Sequence, residues 1–155
     1  MLKSNPIVAF VATTDPARAK TFYAGTLGLR LVSEDGFALV FDAGGTMLRI
    51  ATVPEHEPAG YTVLGWLVRD IERSVHDLRS KGVAFNVYDG MGQDEHGIWS
   101  APSGARVAWF TDPDGNTLSL TGIARSKPQR SPARKAAARP IRKSKAKAVR
   151  TSRRR

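Results

Sequence analysis

No cysteine occurs anywhere in the 155 residues. A disulfide framework, a thiolate metal site, an iron–sulfur cluster and a cysteine nucleophile are therefore excluded. No uninterrupted apolar run approaches the roughly 18–20 residues that a membrane helix needs. The opening segment, Met1-Leu2-Lys3-Ser4-Asn5-Pro6, has no apolar secretory centre and leads directly into a strand-like stretch. These absences predict a soluble, cytoplasmic protein with no membrane partner. The length suits one compact domain, with or without an extension.

Acidic residues are also missing, but only in one place. Residues 123–155 hold 14 Lys+Arg, no Asp or Glu and no aromatic residue. Residues 1–122 hold 10 Lys+Arg against 14 Asp+Glu, a charge of −4, so the formal +10 of the chain belongs to its tail. Ile123, Ile141 and Val149 are the only large aliphatic residues there. They cannot bury enough area to offset about 1–2 kcal/mol of backbone entropy per residue, so disorder is expected over 123–155. Fourteen cations without aromatics suit phosphates rather than base stacking, which predicts non-specific nucleic-acid binding. A solvated extension without a dedicated partner is the alternative.

The first 122 residues are built on an internal repeat. Asp15-Pro16-Ala17-Arg18-Ala19 is echoed by Asp70-Ile71-Glu72-Arg73-Ser74. Each follows a strand-like run, 7–13 and 62–68, and each opens a predicted helix with the aspartate as N-cap. Pro16 stands at the first helical position, and Gly28 and Gly82 close the two helices. Further on, 42–50 lines up with 112–120, and both read as strand, tight turn, strand. The second copy holds extra residues, mostly in a polar, Gly-rich loop over 88–104. The prediction is an α+β fold of two tandem βαβββ modules, about 6–53 and 61–121, with eight principal strands and two helices. The basic tail begins after Gly122.

Asp15…Phe22-Tyr23…Leu27-Gly28-Leu29, Val68-Arg69-Asp70-Ile71 and Asp112-Pro113-Asp114-Gly115-Asn116 stand in this order across the two halves. With the doubled module, this pattern resembles the vicinal oxygen chelate superfamily, which includes glyoxalase I, bleomycin- and fosfomycin-resistance proteins and extradiol dioxygenases. The resemblance covers 6–121 and leaves out the tail. It implies two curved half-barrels that together form a ligand cleft, and a homodimer with composite clefts. It also implies metal ligands at four places: seven residues before each helix-opening aspartate, and four residues after each turn glycine. Those places hold Val8, Val63, Arg49 and Ser119. Valine offers no donor beyond its backbone, arginine is a permanent cation and serine a weak neutral oxygen, so no metal cofactor is expected.

The histidines do not restore such a site. His56, between the modules, is expected to be solvated, and His76 to lie on an outer helix face. His96, in Asp94-Glu95-His96-Gly97, is the one expected near a pocket. A relocated metal there would need ligands from elsewhere.

If the implied ligand positions face the cleft, as the resemblance implies, strand alternation gives the rest of its lining. It comprises Phe10 and Ala12, Met47 and Arg49, Val63, Gly65 and Leu67, Val107 and Trp109, Thr117 and Ser119. Asp94, His96 and Trp99 of the long loop join them as ligand-binding candidates. Arg49 is either the anchor of an acidic ligand or one half of a salt bridge, with Asp94 as a candidate partner. Trp99 and Trp109 are either structural or ligand-stacking. Gly65 either permits close packing or leaves room for a flat ligand. The expected function is a metal-free protein binding a small, partly aromatic, anionic molecule. A lyase, isomerase or dioxygenase using Asp94, Glu95 or His96 stays open, as does a nucleic-acid-associated protein working through its tail.

Overall fold

A computed structural model describes residues 2–123. The expected disorder of the tail lies outside the described residues, apart from Ile123. Nine strands and two helices follow in the order β1 (Val8–Thr13), α1 (Pro16–Lys20), β2 (Arg30–Glu34), β3 (Ala38–Ala43), β4 (Thr46–Thr52), β5 (Leu64–Val68), α2 (Ile71–Ser80), β6 (Phe85–Asn86), β7 (Ile98–Ser100), β8 (Ala105–Thr111) and β9 (Thr117–Ile123). Sheet A has the order β1-β4-β3-β2, and sheet B has β5-β9-β8-β6 with β7 also paired to β8. In each module the first strand runs parallel to the last and the others antiparallel, so the sequence repeat is a structural repeat.

Three features depart from the sequence reading. The loop expected over 88–104 contains a strand, β7, and Asp94 and Gln93 tie down the turn before it. Gln93 accepts from Tyr88 N–H (2.7 Å) and donates to the carbonyls of Asn86 (2.9 Å) and Gly97 (2.7 Å). The first helix is not uniform either. Asp15 caps it through a bond from Arg18 N–H, but from Thr21 to Thr26 it widens into a π-helical turn, with Leu27 N–H donating to Phe22 O. Finally, β9 continues to Ile123, which pairs with Ala105, so the domain extends past Gly122.

Pleating divides each sheet into two faces. On one face of sheet A, Val11 pairs with Ile50, Ile50 with Leu39, and Leu48 with Phe41. On one face of sheet B, Leu64 pairs with Leu118, Leu118 with Phe110, and Phe110 with Phe85. Both sets belong to a single core cluster, together with Ala19 and Tyr23 from the first helix and Ile71 and Val75 from α2. Trp66 also packs against that core and stacks on Phe110. The helix-side faces of the two sheets thus share one interior, leaving the opposite faces open.

Polar contacts fasten the modules together. Asp114 accepts from Thr13 Oγ1 (2.6 Å), Thr14 N–H (2.9 Å) and Thr14 Oγ1 (2.9 Å), with Arg18 Nη2 at 3.4 Å. Burial works against that charge, but the threonine bonds and Arg18 outweigh it and hold the carboxyl below its ordinary range. Asn116 donates to Ala12 O (2.9 Å) and lies 2.8 Å from His56 Nε2. His56 is therefore no solvated linker residue. It helps close the joint between the modules.

Candidate functional site

The open face of sheet A is apolar around Arg49, with the Arg30–Asp42 ion pair toward its β2 edge. Val8 pairs with Met47, and Phe10 with Arg49, whose neighbour on the other side is Val40. Val8 is 43% exposed, Phe10 62% and Met47 46%. Such exposure of a strand face is a feature of binding surfaces rather than of a finished exterior. Among the described residues Arg49 has no carboxylate within 4.0 Å. Asp42, on the same face, is taken by Arg30 at 2.7 Å. Asp35 is held below its usual range chiefly by the backbone N–H groups of Phe37 and Ala38, and only slightly by the field of Arg49. The salt bridge considered for Arg49 is not formed.

The open face of sheet B is aromatic. Two cross-strand rows lie on it: Gly65, Ser119, Trp109 and Asn86, then Leu67, Thr121, Val107 and Trp99. Trp109 sits at the centre, with Tyr88 edge-on at 5.8 Å and Trp99 at 6.1 Å between ring centroids. Its indole N–H donates to Thr62 Oγ1 at 3.1 Å, which fixes the ring's direction. Leu67, 69% exposed, extends the apolar floor. Tyr88 belongs to this cluster although sequence reasoning left it out. Period-two alternation carries no information about a residue just beyond a two-residue strand.

Two expected members are elsewhere. Asp94 folds back on its own turn, accepting from His96 N–H (2.9 Å) and Ile98 N–H (2.9 Å), and faces Arg106 at 3.4 Å. Arg106 also bonds Glu72, whose carboxyl it holds below the usual range. His96 lines a groove of about 410 Å³ with Glu72, Arg73, Val75, His76 and Arg79 of α2. Asp94 is therefore not the partner of Arg49, and His96 lies against the outer side of α2 rather than on the open face. The cause is parity: Arg106 points to the same side of β8 as Ala108 and Phe110. Val63 is also only partly lining, since it packs against the core beside the start of β5.

The four places where the resemblance implied metal ligands do not fit a divalent ion. Val8 and Val63 bring no side-chain donor, and Arg49 would repel the ion. No group of three or more His, Asp or Glu side chains converges among the described residues.

The profile of the Glyoxalase/Bleomycin resistance protein/Dioxygenase superfamily matches residues 5–120. The chain belongs to this superfamily. A member of it from Sphaerobacter thermophilus is 25% identical with a TM-score of 0.62, the match covering 79% of this chain and 99% of that one. A glyoxalase/bleomycin resistance protein/dioxygenase from Alicyclobacillus acidocaldarius is 18% identical with a TM-score of 0.60, covering 77% and 92%. A lactoylglutathione lyase from Agrobacterium tumefaciens is 17% identical with a TM-score of 0.60, covering 77% and 95%. These likenesses carry the fold. No curated protein matches the chain. Among the described residues, no helix of this superfamily member is long and apolar enough to cross a membrane.

Proposed function

We propose that this superfamily member is a metal-free binding protein for a small, partly aromatic, anionic molecule. The observation that carries the reading is Arg49, set between Phe10 and Val40 on an open apolar face without an ion-pair partner among the described residues. A guanidinium so placed gains from a bidentate carboxylate or phosphate. Trp109, Tyr88 and Trp99 offer the aromatic surface on which the ligand's planar part packs.

The same reading includes a homodimer working in the cytoplasm. The helix-side faces of both sheets are spent on one shared core, which leaves two open faces to be covered. A second copy that lays its sheet B against sheet A brings the aromatic cluster opposite Arg49, and completes the cleft twice. Turnover of the lyase or dioxygenase kind has less support, because Asp94 and His96 lie apart from Arg49. The tail, at 14 cations, supports a second activity, sequence-independent attachment to nucleic acid.

Native mass spectrometry of protein taken directly from cells tests the main reading. The expected result is a dimer mass without stoichiometric metal and with a retained organic acid. A monomer, or one Ni, Zn, Fe or Mn per chain, overturns it.

A further inference from the structure

Position 65 is glycine for a reason that can be measured. A β-carbon there would lie 2.5 Å from Ser119 Oγ, closer than such atoms approach, and 3.3 Å from the Ser119 carbonyl oxygen. The two residues are register partners on β5 and β9, so the serine side chain leans into the space that a side chain at 65 would take. Gly65 does not leave an empty slot. It lets the hydroxyl of its neighbour lie low on the open face of sheet B.

That hydroxyl is unusual in its surroundings. Ser119 is only 6% exposed, yet its side chain makes no hydrogen bond within the described residues. Among the described residues no side-chain oxygen or nitrogen is both sealed from solvent and unpartnered, so the Ser119 oxygen keeps some contact with solvent. Its neighbours across the sheet are Gly65 and Trp109, and Thr117 and Thr121 lie on the same face of its own strand, with Leu67 paired to Thr121. An unpartnered hydroxyl beside an indole ring has one neutral donor and free acceptor capacity. Leaving it unmatched under a ligand costs binding, and matching it yields selectivity.

We infer that Ser119 Oγ, held in place by the absence of a side chain at Gly65, selects ligands whose aromatic part carries a hydroxyl or an equivalent hydrogen-bonding group. Ser119 touches the ligand, and Gly65 is a positioning residue. The inference rests on the binding reading above and narrows it to hydroxylated or similarly substituted aromatic acids. It does not depend on any metal, because a neutral serine oxygen recognises the ligand by hydrogen bonding alone.

The test compares naphthalene carboxylate with the set of its monohydroxy derivatives, by isothermal titration calorimetry on the full chain. Wild-type protein is expected to bind at least one hydroxylated isomer about three- to tenfold more tightly than the parent, the range of one net hydrogen bond. Ser119→Ala should erase that ratio from both sides, weakening the hydroxylated isomer and tightening the parent acid, which no longer covers an unmatched hydroxyl. Gly65→Ala should erase it too, with the serine still present but displaced. In the double variant, Gly65→Ala should add no further loss to Ser119→Ala. If the parent acid binds but hydroxylation brings no gain, or if the gain survives Ser119→Ala, the selection role is wrong while the binding reading stands. If no naphthalene acid binds at all, both fall together.

Discussion

Tyr23 Oη donates to Asp112 Oδ2 at 2.8 Å, joining the first helix of one module to the β8–β9 turn of the other. The tyrosine is fully buried, and burial pushes its phenol far above the ordinary value, with the Asp112 charge adding to the shift. Asp112 also accepts from Asn116 N–H (2.9 Å), Asp114 N–H (3.0 Å) and Asn116 Nδ2 (2.8 Å), so its charge is shared among four donors. Tyr23→Phe removes one of them and keeps the ring that packs on Phe22 and Phe41. The expected cost is about 1.5–3 kcal/mol, the range of a hydrogen bond to a charged group, read as a lower urea midpoint at unchanged slope. An unchanged midpoint would mean that the module joint does not depend on this bond.

Asp114 gives the joint a defined pH dependence. Its folded-state carboxyl titrates below the unfolded value, so its contribution is fully present above about pH 4 and is lost as pH falls through the lowered folded value. Asp114→Asn should therefore be less stable than wild type at neutral pH, and the gap should narrow under acid. Thermal unfolding from pH 7 down to about 2.5 checks this, and a gap that widened on acidification would contradict the assignment.

On the open face of sheet A the decisive variant is Arg49→Met. Methionine keeps much of the volume beside Phe10 and Val40, and no salt bridge is lost because none is formed. The melting temperature should hold or rise. Affinity for naphthalene carboxylate should drop by about ten- to a hundredfold, the worth of a charge-assisted pair. Unchanged affinity in a folded Arg49→Met protein removes the anchor from the proposal.

His96→Ala provides the contrasting case. Its ring lines the groove against Glu72, Val75 and His76 on the outer side of α2, so naphthalene carboxylate binding should not change. A loss comparable with that of Arg49→Met would place the long loop in the cleft after all.

The modules, their order and the caps at Asp15 and Asp70 were legible because repeats and helix starts are written in adjacent residues. Strand parity likewise placed Phe10, Met47, Arg49, Gly65, Trp109 and Ser119 on open faces, since alternation is a local property. Asp94, His96 and His56 went astray for one reason. Each sits in a segment without periodicity, and what it meets comes from a distant element: Arg106 for Asp94, Asn116 for His56 and the side of α2 for His96. Composition recorded the polarity of such loops but not their direction. The β7 strand was hidden in the same way, because three residues are too few to show alternation.

The final prediction separates the tail from the domain. β9 runs to Ile123 and pairs with Ala105, so a cut at Gly122 would remove a paired residue, and the cleaner truncation ends at Arg125. That shortened chain holds 11 Lys+Arg against 14 Asp+Glu and should keep its fold and its small-molecule binding. It should not bind duplex DNA. The full chain should bind without sequence preference, with log K falling against log salt by about 0.9 per phosphate neutralised. Six or more contacts would cost about a thousandfold between 50 and 200 mM salt, a span easily measured by fluorescence anisotropy. Equal binding by both chains would move the nucleic-acid surface onto the domain, against its negative charge. Binding by neither would leave the 14 cations as a solvated extension.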